Sequence, residues 1–361
     1  MNSFSNKPGL IHVVRSLNTG GIERLLLQYL KVSKEKQWVV YIAEPHDLKD
    51  EFLKLSDRVE LVFLDRSTLG LYGVMAAFKA MCEEVKPSGV ICWFYPFHGL
   101  FGLMAKIAGV RRVLVHIGMV QKWNAKKAML HLLGRLVGCR EIAVSRRVMA
   151  SIPKAYGLSS KSIRLVYNGV DLETFLNKNS VVFRKAPFII GVVSRLDEHK
   201  DFDTLLQAMR LVCEKYNVLL RVAGTGSRRK ELESKGNDYS VPIEWCGLLM
   251  DIPLFLNEID IFVFPATPLE GLGVALIEAM ACELPVLAPR DTVCEEIIED
   301  HVSGLLFNYG DAGDLSRKIL NCIEDKEMRK ELSIGARARC EKQFSFHSMK
   351  NQYESLLGIG K

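Results

Sequence analysis

Short apolar, β-branched runs alternate along this chain with longer stretches whose apolar residues recur every three to four positions. Strands are predicted at 10–14, 38–42, 59–63, 89–93, 112–116 and 141–144, with helical patterns such as 22–32 and 71–85 between them. Apolar strands separated by helices indicate a parallel sheet covered on both faces. The alternation pauses at 168–187 (NGVDLETFLNKNSVVFRKAP), which is polar and irregular and reads as a connector. A second series follows. Its strands are predicted at 188–193, 218–223, 243–246, 261–264, 286–288 and 304–307, and its helices include 203–216, 252–257, 273–282 and 314–324. The tail, 344–357, is helical.

The expected fold is therefore α/β, with two Rossmann-like doubly wound domains facing across a cleft. The N-terminal domain is placed at 1–170, the linker at 171–187, the C-terminal domain at 188–343, and a closing helix at 344–361 that returns to the first domain. Ligands of open α/β sheets bind at the carboxyl ends of the strands, so the loops there are the place to look for chemistry.

Composition narrows the classes. The chain has 361 residues, 48% hydrophobic and 25% charged, which suits two globular domains. A net charge of +6 fits an anionic ligand or an acidic membrane surface, and no zinc-finger spacing or aromatic-and-basic pattern points to nucleic acid. The nine cysteines are scattered without a CxxC pair, which favours a reducing compartment. The N-terminus lacks the apolar core of a signal peptide. The most apolar stretch, 90–110, is broken by Pro96, His98, Gly99, Gly102 and Lys106 and fails as a membrane span. A cytoplasmic protein is expected, with contact at the inner face of the cell membrane left open.

The strongest chemical signal is PLEGLGVALIEAMA, 268–281. A strand leads through a proline turn to Glu270, and a helix is expected to start around Gly271–Gly273 and to carry Glu278 on an otherwise apolar surface. Eight residues at helical rise separate the two carboxylates by roughly 12 Å along the axis, comparable to the span from ribose to hexose in a nucleotide sugar. The amides of Gly271, Leu272 and Gly273 suit hydroxyl or phosphate oxygens. Taken alone, Glu270 reads as a surface turn residue and Glu278 as a structural ion-pair partner; the pair, with glycines at a strand-to-helix switch, reads as a site. A second cluster, SRLDEHKD (194–201), follows the first strand of the second series and offers Arg195 and Lys200 to a diphosphate. A solvated basic loop is its plain alternative. The turn NTGGIER (18–24) brings Gly20 and Gly21 to a helix N-terminus. His116 ends an apolar strand, where a histidine serves structure or chemistry.

These segments, with HIG at 116–118 and YNGVD at 167–171, occur in an order that resembles the retaining glycosyltransferases of family 4, which have the GT-B fold. The resemblance implies transfer of a hexose-type sugar from a UDP-, GDP- or ADP-linked donor to a glycan or lipid-linked acceptor, in cell-surface polysaccharide or lipid-linked glycan assembly. It implies that Glu270 binds the donor hexose with the amides of Gly271 to Gly273, and that Glu278 binds the ribose. Arg195 and Lys200 would clamp the diphosphate, approached by Gly20 and Gly21, and His116 would meet the transferred sugar. No metal or other cofactor is implied. The sequence departs from the family at Ser194 and Asp201, where glycine is frequent, and at 291–294 (DTVC), which replaces a small glycine pair.

Asp201 and Asp203 spell a DxD, a metal motif in another transferase class, but their place at a helix start favours capping. The segment 122–137 mixes Lys122, Lys126, Lys127 and Arg135 with Trp123, Met129 and leucines. It reads either as a core helix with a basic edge or as a segment lying on an anionic membrane. The run 93–97 (WFYPF) reads as an acceptor wall or its support. Two rival functions remain: an NAD-dependent oxidoreductase, which calls for a full GxGxxG that is not found, and a non-catalytic GT-B sugar-nucleotide or glycan-binding protein.

Overall fold

The computed structural model describes residues 9–18, 20–44, 46–93, 97–157, 159–177 and 187–359. Residues 1–8, Thr19, the middle of the WFYPF run (94–96) and 178–186 of the connector lie outside the described residues. The chain divides into two units. One joins the chain up to Tyr167 with the residues from Ser348 onward, and the other is Asn168–His347.

The first unit is built on seven parallel strands: β1 (Leu10–Val14), β2 (Gln37–Tyr41), β3 (Val59–Phe63), β4 (Gly89–Cys92), β5 (Val113–Ile117), β6 (Arg140–Ala143) and the short β7 (Arg164–Leu165). Their spatial order is β3-β2-β1-β4-β5-β6-β7. All residues of β1, β4 and β5 are buried, as strands covered on both faces must be. The order reverses between β1 and β4, which defines the switch point of this sheet.

The second unit holds six parallel strands: β8 (Phe188–Val193), β9 (Val218–Ala223), β10 (Ile243–Gly247), β11 (Ile261–Val263), β12 (Val286–Pro289) and β13 (Leu305–Phe307), in the order β10-β9-β8-β11-β12-β13. Its switch point lies between β8 and β11. On one face Ile190, Val192, Leu220, Val222, Val263 and Leu287 pack with Phe202, Leu205, Leu206 and Met209 of the helix Phe202–Cys213.

Two departures from the sequence reading have simple causes. The helix predicted at 71–85 is preceded by a short helical turn from Arg66, which Asp65 caps (Ser67 N to Asp65 Oδ1, 2.9 Å), and Gly70, at φ 62° and non-helical, separates the two. The start of the connector is ordered rather than irregular. Val170 pairs with Ser345, Asp171 accepts from the Glu173 amide at 3.0 Å, and Arg337 donates to the carbonyls of Phe175 and Ala281 at 2.9 and 2.7 Å.

The closing helix, Phe346–Leu357, enters the first unit at Ser348. Its last carbonyls meet cations: Arg140 donates to Leu356 O at 2.8 Å and Arg112 to Leu357 O. Positive charge at a helix C-terminus is favourable. Tyr353 of this helix is fully buried in the first unit.

Candidate functional site

In the second unit the loops that follow β8 and β11, the strands bracketing the switch point, are tied to one another. Lys200 and Ala266 form an antiparallel bridge, the Asp201 amide donates to Pro265 O at 3.0 Å, and Thr267 Oγ1 donates to His199 O at 3.0 Å. This clamp brings Lys200 Nζ onto the Glu270 carboxylate as a hydrogen-bonded ion pair. The ammonium also lies 4.1 Å from the centroid of the Phe264 ring, a cation–π contact.

The pair is largely enclosed, with Lys200 11% and Glu270 20% exposed. Burial pushes the Glu270 carboxyl up. The charge and hydrogen bond of Lys200, the Gly271 amide at 3.2 Å and the charge of Arg195 overcome it and hold the group below the usual carboxylate range. Glu270 is therefore ionised at neutral pH. Arg195 itself is mostly exposed and reaches Asp197 at 3.2 Å.

Phe264 also explains a glycine. Gly273 has φ 88°, and a Cβ there would stand 2.7 Å from the Phe264 ring, so conformation and space both exclude a side chain. This left-handed residue delays the helix, which runs Val274–Ala281 instead of starting at Gly271 or Gly273. Glu270 consequently sits in the turn before the helix, and a spacing along one helix axis does not describe the two carboxylates. Glu278 is on the helix but partly exposed, between buried Ile277 and Ala279, so the charge is not sunk in the core.

Neighbouring loops complete the carboxyl edge. The Ser194 amide donates to Ala223 O and that of Leu196 to Thr225 O, both at 2.9 Å, and the Gly224 amide donates to Gly247 O at 2.7 Å. Gly224 must be bare because a Cβ would fall 1.8 Å from Ser194 O. The departures from the family pattern are accommodated locally. Ser194 Oγ donates to Arg195 O at 3.0 Å, and Asp201 caps the helix Phe202–Cys213 through the Thr204 amide at 3.1 Å and hydroxyl at 2.7 Å. Asp203 is committed to Arg228 at 2.8 Å and Lys235 at 2.5 Å. The DxD thus serves as cap and ion-pair partner, as the helix-start reading expects.

In the first unit, His116 is buried at the end of β5. Burial lowers its pKa to about 4, so the ring is neutral. Nδ1 lies 2.8 Å from the Tyr353 hydroxyl, while Nε2 has no hydrogen-bond partner among the described residues. Gly20 caps the helix Gly21–Val32, and a Cβ on it would meet Glu23 Oε2 at 2.1 Å; beside Gly21 there is open space. Burial raises the Glu23 carboxyl to about 7, against a hydrogen bond from its own backbone. Phe264 and Tyr353 escape the sequence reading, and Glu23, inside the NTGGIER turn, has no role assigned in it. Phe264 adjoins a motif that points to the site, whereas no local pattern marks Tyr353.

A further grouping in this unit, His98, His131 and Glu141, is buried with ligand atoms close enough to hold a cation. Glu141 accepts from His131 at 2.5 Å and from Arg135 at 2.7 and 3.0 Å. Those hydrogen bonds and the Arg135 cation mark a structural network.

Two parallel Rossmann-like sheets, one with an ion-paired lysine and glutamate at its switch point, define a GT-B protein. The family descriptions agree: "Glycosyltransferase Family 4" matches residues 19–174 and "Glycosyl transferases group 1" matches 174–339. The chain belongs to this glycosyltransferase family. CapM of Staphylococcus aureus, a capsular polysaccharide biosynthesis glycosyltransferase, is 28% identical over 201 residues, 52% of each chain. AmsK of Erwinia amylovora, an amylovoran biosynthesis glycosyltransferase, is 29% identical over 219 residues, so the matched stretch spans about half the length of both relatives. A GDP-mannose-dependent phosphatidylinositol monomannoside mannosyltransferase of Corynebacterium glutamicum is 26% identical over 94% of each chain. Among solved structures, Anabaena Alr3699/HepE in complex with UDP and glucose superposes with a TM-score of 0.83 at 20% identity, covering 97% of this chain and 99% of that one. At that identity the likeness establishes the fold.

Proposed function

We propose that this protein transfers a hexose-type sugar from a nucleoside diphosphate sugar to a glycan or lipid-linked acceptor, with retention at the anomeric carbon and without a metal. The observation that carries this reading is the Lys200–Glu270 pair, with Arg195 nearby, at the switch point of the second sheet. When donor binds, Lys200 and Arg195 meet the diphosphate and offset the charge that develops as it leaves. Glu270 and the amides of Leu272 and Gly273 hold sugar hydroxyls, and Glu278 holds the ribose. In the first unit, we assign Gly20 and Gly21 to the diphosphate and neutral His116 to the transferred sugar. The cations and helix N-terminus take the place of a metal ion.

The relatives support this choice of substrates. HepE was solved with UDP and glucose, and the Corynebacterium relative uses GDP-mannose, so the base stays open between uridine and guanine. CapM and AmsK act in polysaccharide biosynthesis, and we assign this chain to the same kind of pathway. The test needs no acceptor. Slow hydrolysis of UDP-glucose, UDP-galactose or GDP-mannose, followed by proton NMR within minutes of release, should show the sugar first in the α configuration. First appearance of the β anomer would contradict retention.

A membrane-borne acceptor fits the surface of the first unit. The helix Ala125–Leu136 buries Leu130, His131 and Gly134 but exposes Met129, Leu132 and Leu136, with Trp123 74% exposed just before it and Lys122 and Lys126 alongside. The core-helix reading of this segment therefore fails for half its apolar residues. No helix among the described residues is long and apolar enough to cross a membrane. We infer peripheral contact with an anionic membrane at the cytoplasmic face. The protein should cosediment with phosphatidylglycerol-containing vesicles and be released by high salt, and Trp123→Ser with Leu136→Ser should weaken binding several-fold. Equal binding to neutral vesicles, or none to anionic ones, would refute the contact.

A further inference from the structure

The neutral His116 ring has one proton to place on two nitrogens, and the buried groups around it determine which nitrogen receives it. Tyr353 Oη, 2.8 Å from Nδ1, belongs to a fully buried phenol whose ionisation burial opposes, so it is an O–H group. A buried hydroxyl proton needs an acceptor. If Nδ1 carried the ring proton, Tyr353 would receive a hydrogen bond and have no acceptor for its own among the described residues. With Nδ1 accepting from Tyr353, the hydroxyl is satisfied and the ring proton is on Nε2.

The phenol is itself held in place. Its ring stacks on Trp93 at 5.5 Å between centroids and 7° between planes. Trp93 in turn donates from Nε1 to His12 Nδ1 at 3.0 Å. Indole is a donor only, so His12 accepts at Nδ1, carries its proton on Nε2 and donates from there to Gln37 Oε1 at 2.9 Å. The chain Gln37–His12–Trp93 thus holds the tyrosine plane, and the tyrosine hydroxyl orients His116. At the other end, His116 Nε2 is a buried nitrogen with no protein partner among the described residues. A methyl group at Gly118 would stand 3.2 Å from it, so the glycine keeps that side clear.

We propose that Tyr353, on the closing helix, is a positioning residue for transfer: it fixes His116 in the tautomer that offers Nε2–H as a hydrogen-bond donor to the transferred sugar. This rests on the reading of His116 as a sugar-facing residue. The closing helix therefore supplies part of the first unit's chemistry as well as packing against it.

The test is Tyr353→Phe, which keeps the ring on Trp93 and removes only the hydroxyl. Long-range proton–nitrogen NMR of histidine-labelled protein, with His116 assigned by its loss in His116→Gln, should show the wild-type ring protonated on Nε2. In the variant the ring should become a mixture of tautomers. In hydrolysis of whichever of UDP-glucose, UDP-galactose and GDP-mannose the enzyme turns over, kcat should fall about tenfold, the worth of one hydrogen bond, with KM changed less than about twofold. A wild-type ring protonated on Nδ1, or an unchanged tautomer in Tyr353→Phe, overturns the proposal whatever the activity. If the tautomer shifts but His116→Gln retains wild-type kcat, the reading of His116 itself is overturned.

Discussion

Lys200→Ala should lower kcat/KM for the donor by about a hundredfold or more, the usual cost of removing one preorganised charge from a transition state. Two effects act together. On the proposed role of Lys200, the leaving diphosphate loses its most enclosed cation, and Glu270 loses the largest of the influences that lower its pKa. In the wild type Glu270 titrates below the usual carboxylate range, because the Lys200 charge and hydrogen bond, the Gly271 amide and Arg195 overcome its burial. A carboxylate with a depressed pKa stabilises the fold above its unfolded value, and that contribution is lost as pH falls through the folded value. The wild-type acid limb from this group therefore lies below the usual range for glutamate. Without Lys200 burial dominates, the Glu270 pKa rises, and the limb should move to higher pH. Initial rates across pH for both proteins, with melting temperatures to confirm folding, check this. Activity within a few-fold of wild type and an unmoved limb would show that Lys200 serves structure alone.

Much of this was legible in the sequence, for identifiable reasons. Parallel strands buried on both faces are largely continuous apolar runs, so β1, β5 and β8 stand out from the helices between them. The same alternation puts Arg195, Lys200 and Glu270 in the loops after strands, and the position of Asp201 before a helix marks it as a cap. What escaped depends on contacts distant in sequence. Lys200 and Glu270 were assigned to separate parts of the donor, yet they pair with each other across 70 positions because the loops after β8 and β11 are bridged. The late helix start came from the positive φ of Gly273 against Phe264, which the glycine run alone does not reveal. The partner of His116 lies 237 positions away on a helix whose pattern marks only an amphipathic tail.

The second large effect expected concerns Glu278. Its place on the helix after Gly273, where it is partly exposed, suits a carboxylate that accepts two ribose hydroxyls. Hydrogen bonds to a charged acceptor are worth about 1.5–3 kcal/mol, or about tenfold to a hundredfold in affinity. Glu278→Ala should fold normally, since the helix keeps its buried Leu276, Ile277, Ala279 and Met280.

The most direct measurement is calorimetric titration of the wild-type protein and Glu278→Ala with UDP, GDP, ADP and NAD. A nucleotide-sugar transferase with its donor site in the second unit should bind one nucleoside diphosphate and lose that affinity by at least about tenfold in the variant. Binding of NAD alone, binding of none of the four, or unchanged affinity in a folded Glu278→Ala protein would contradict it.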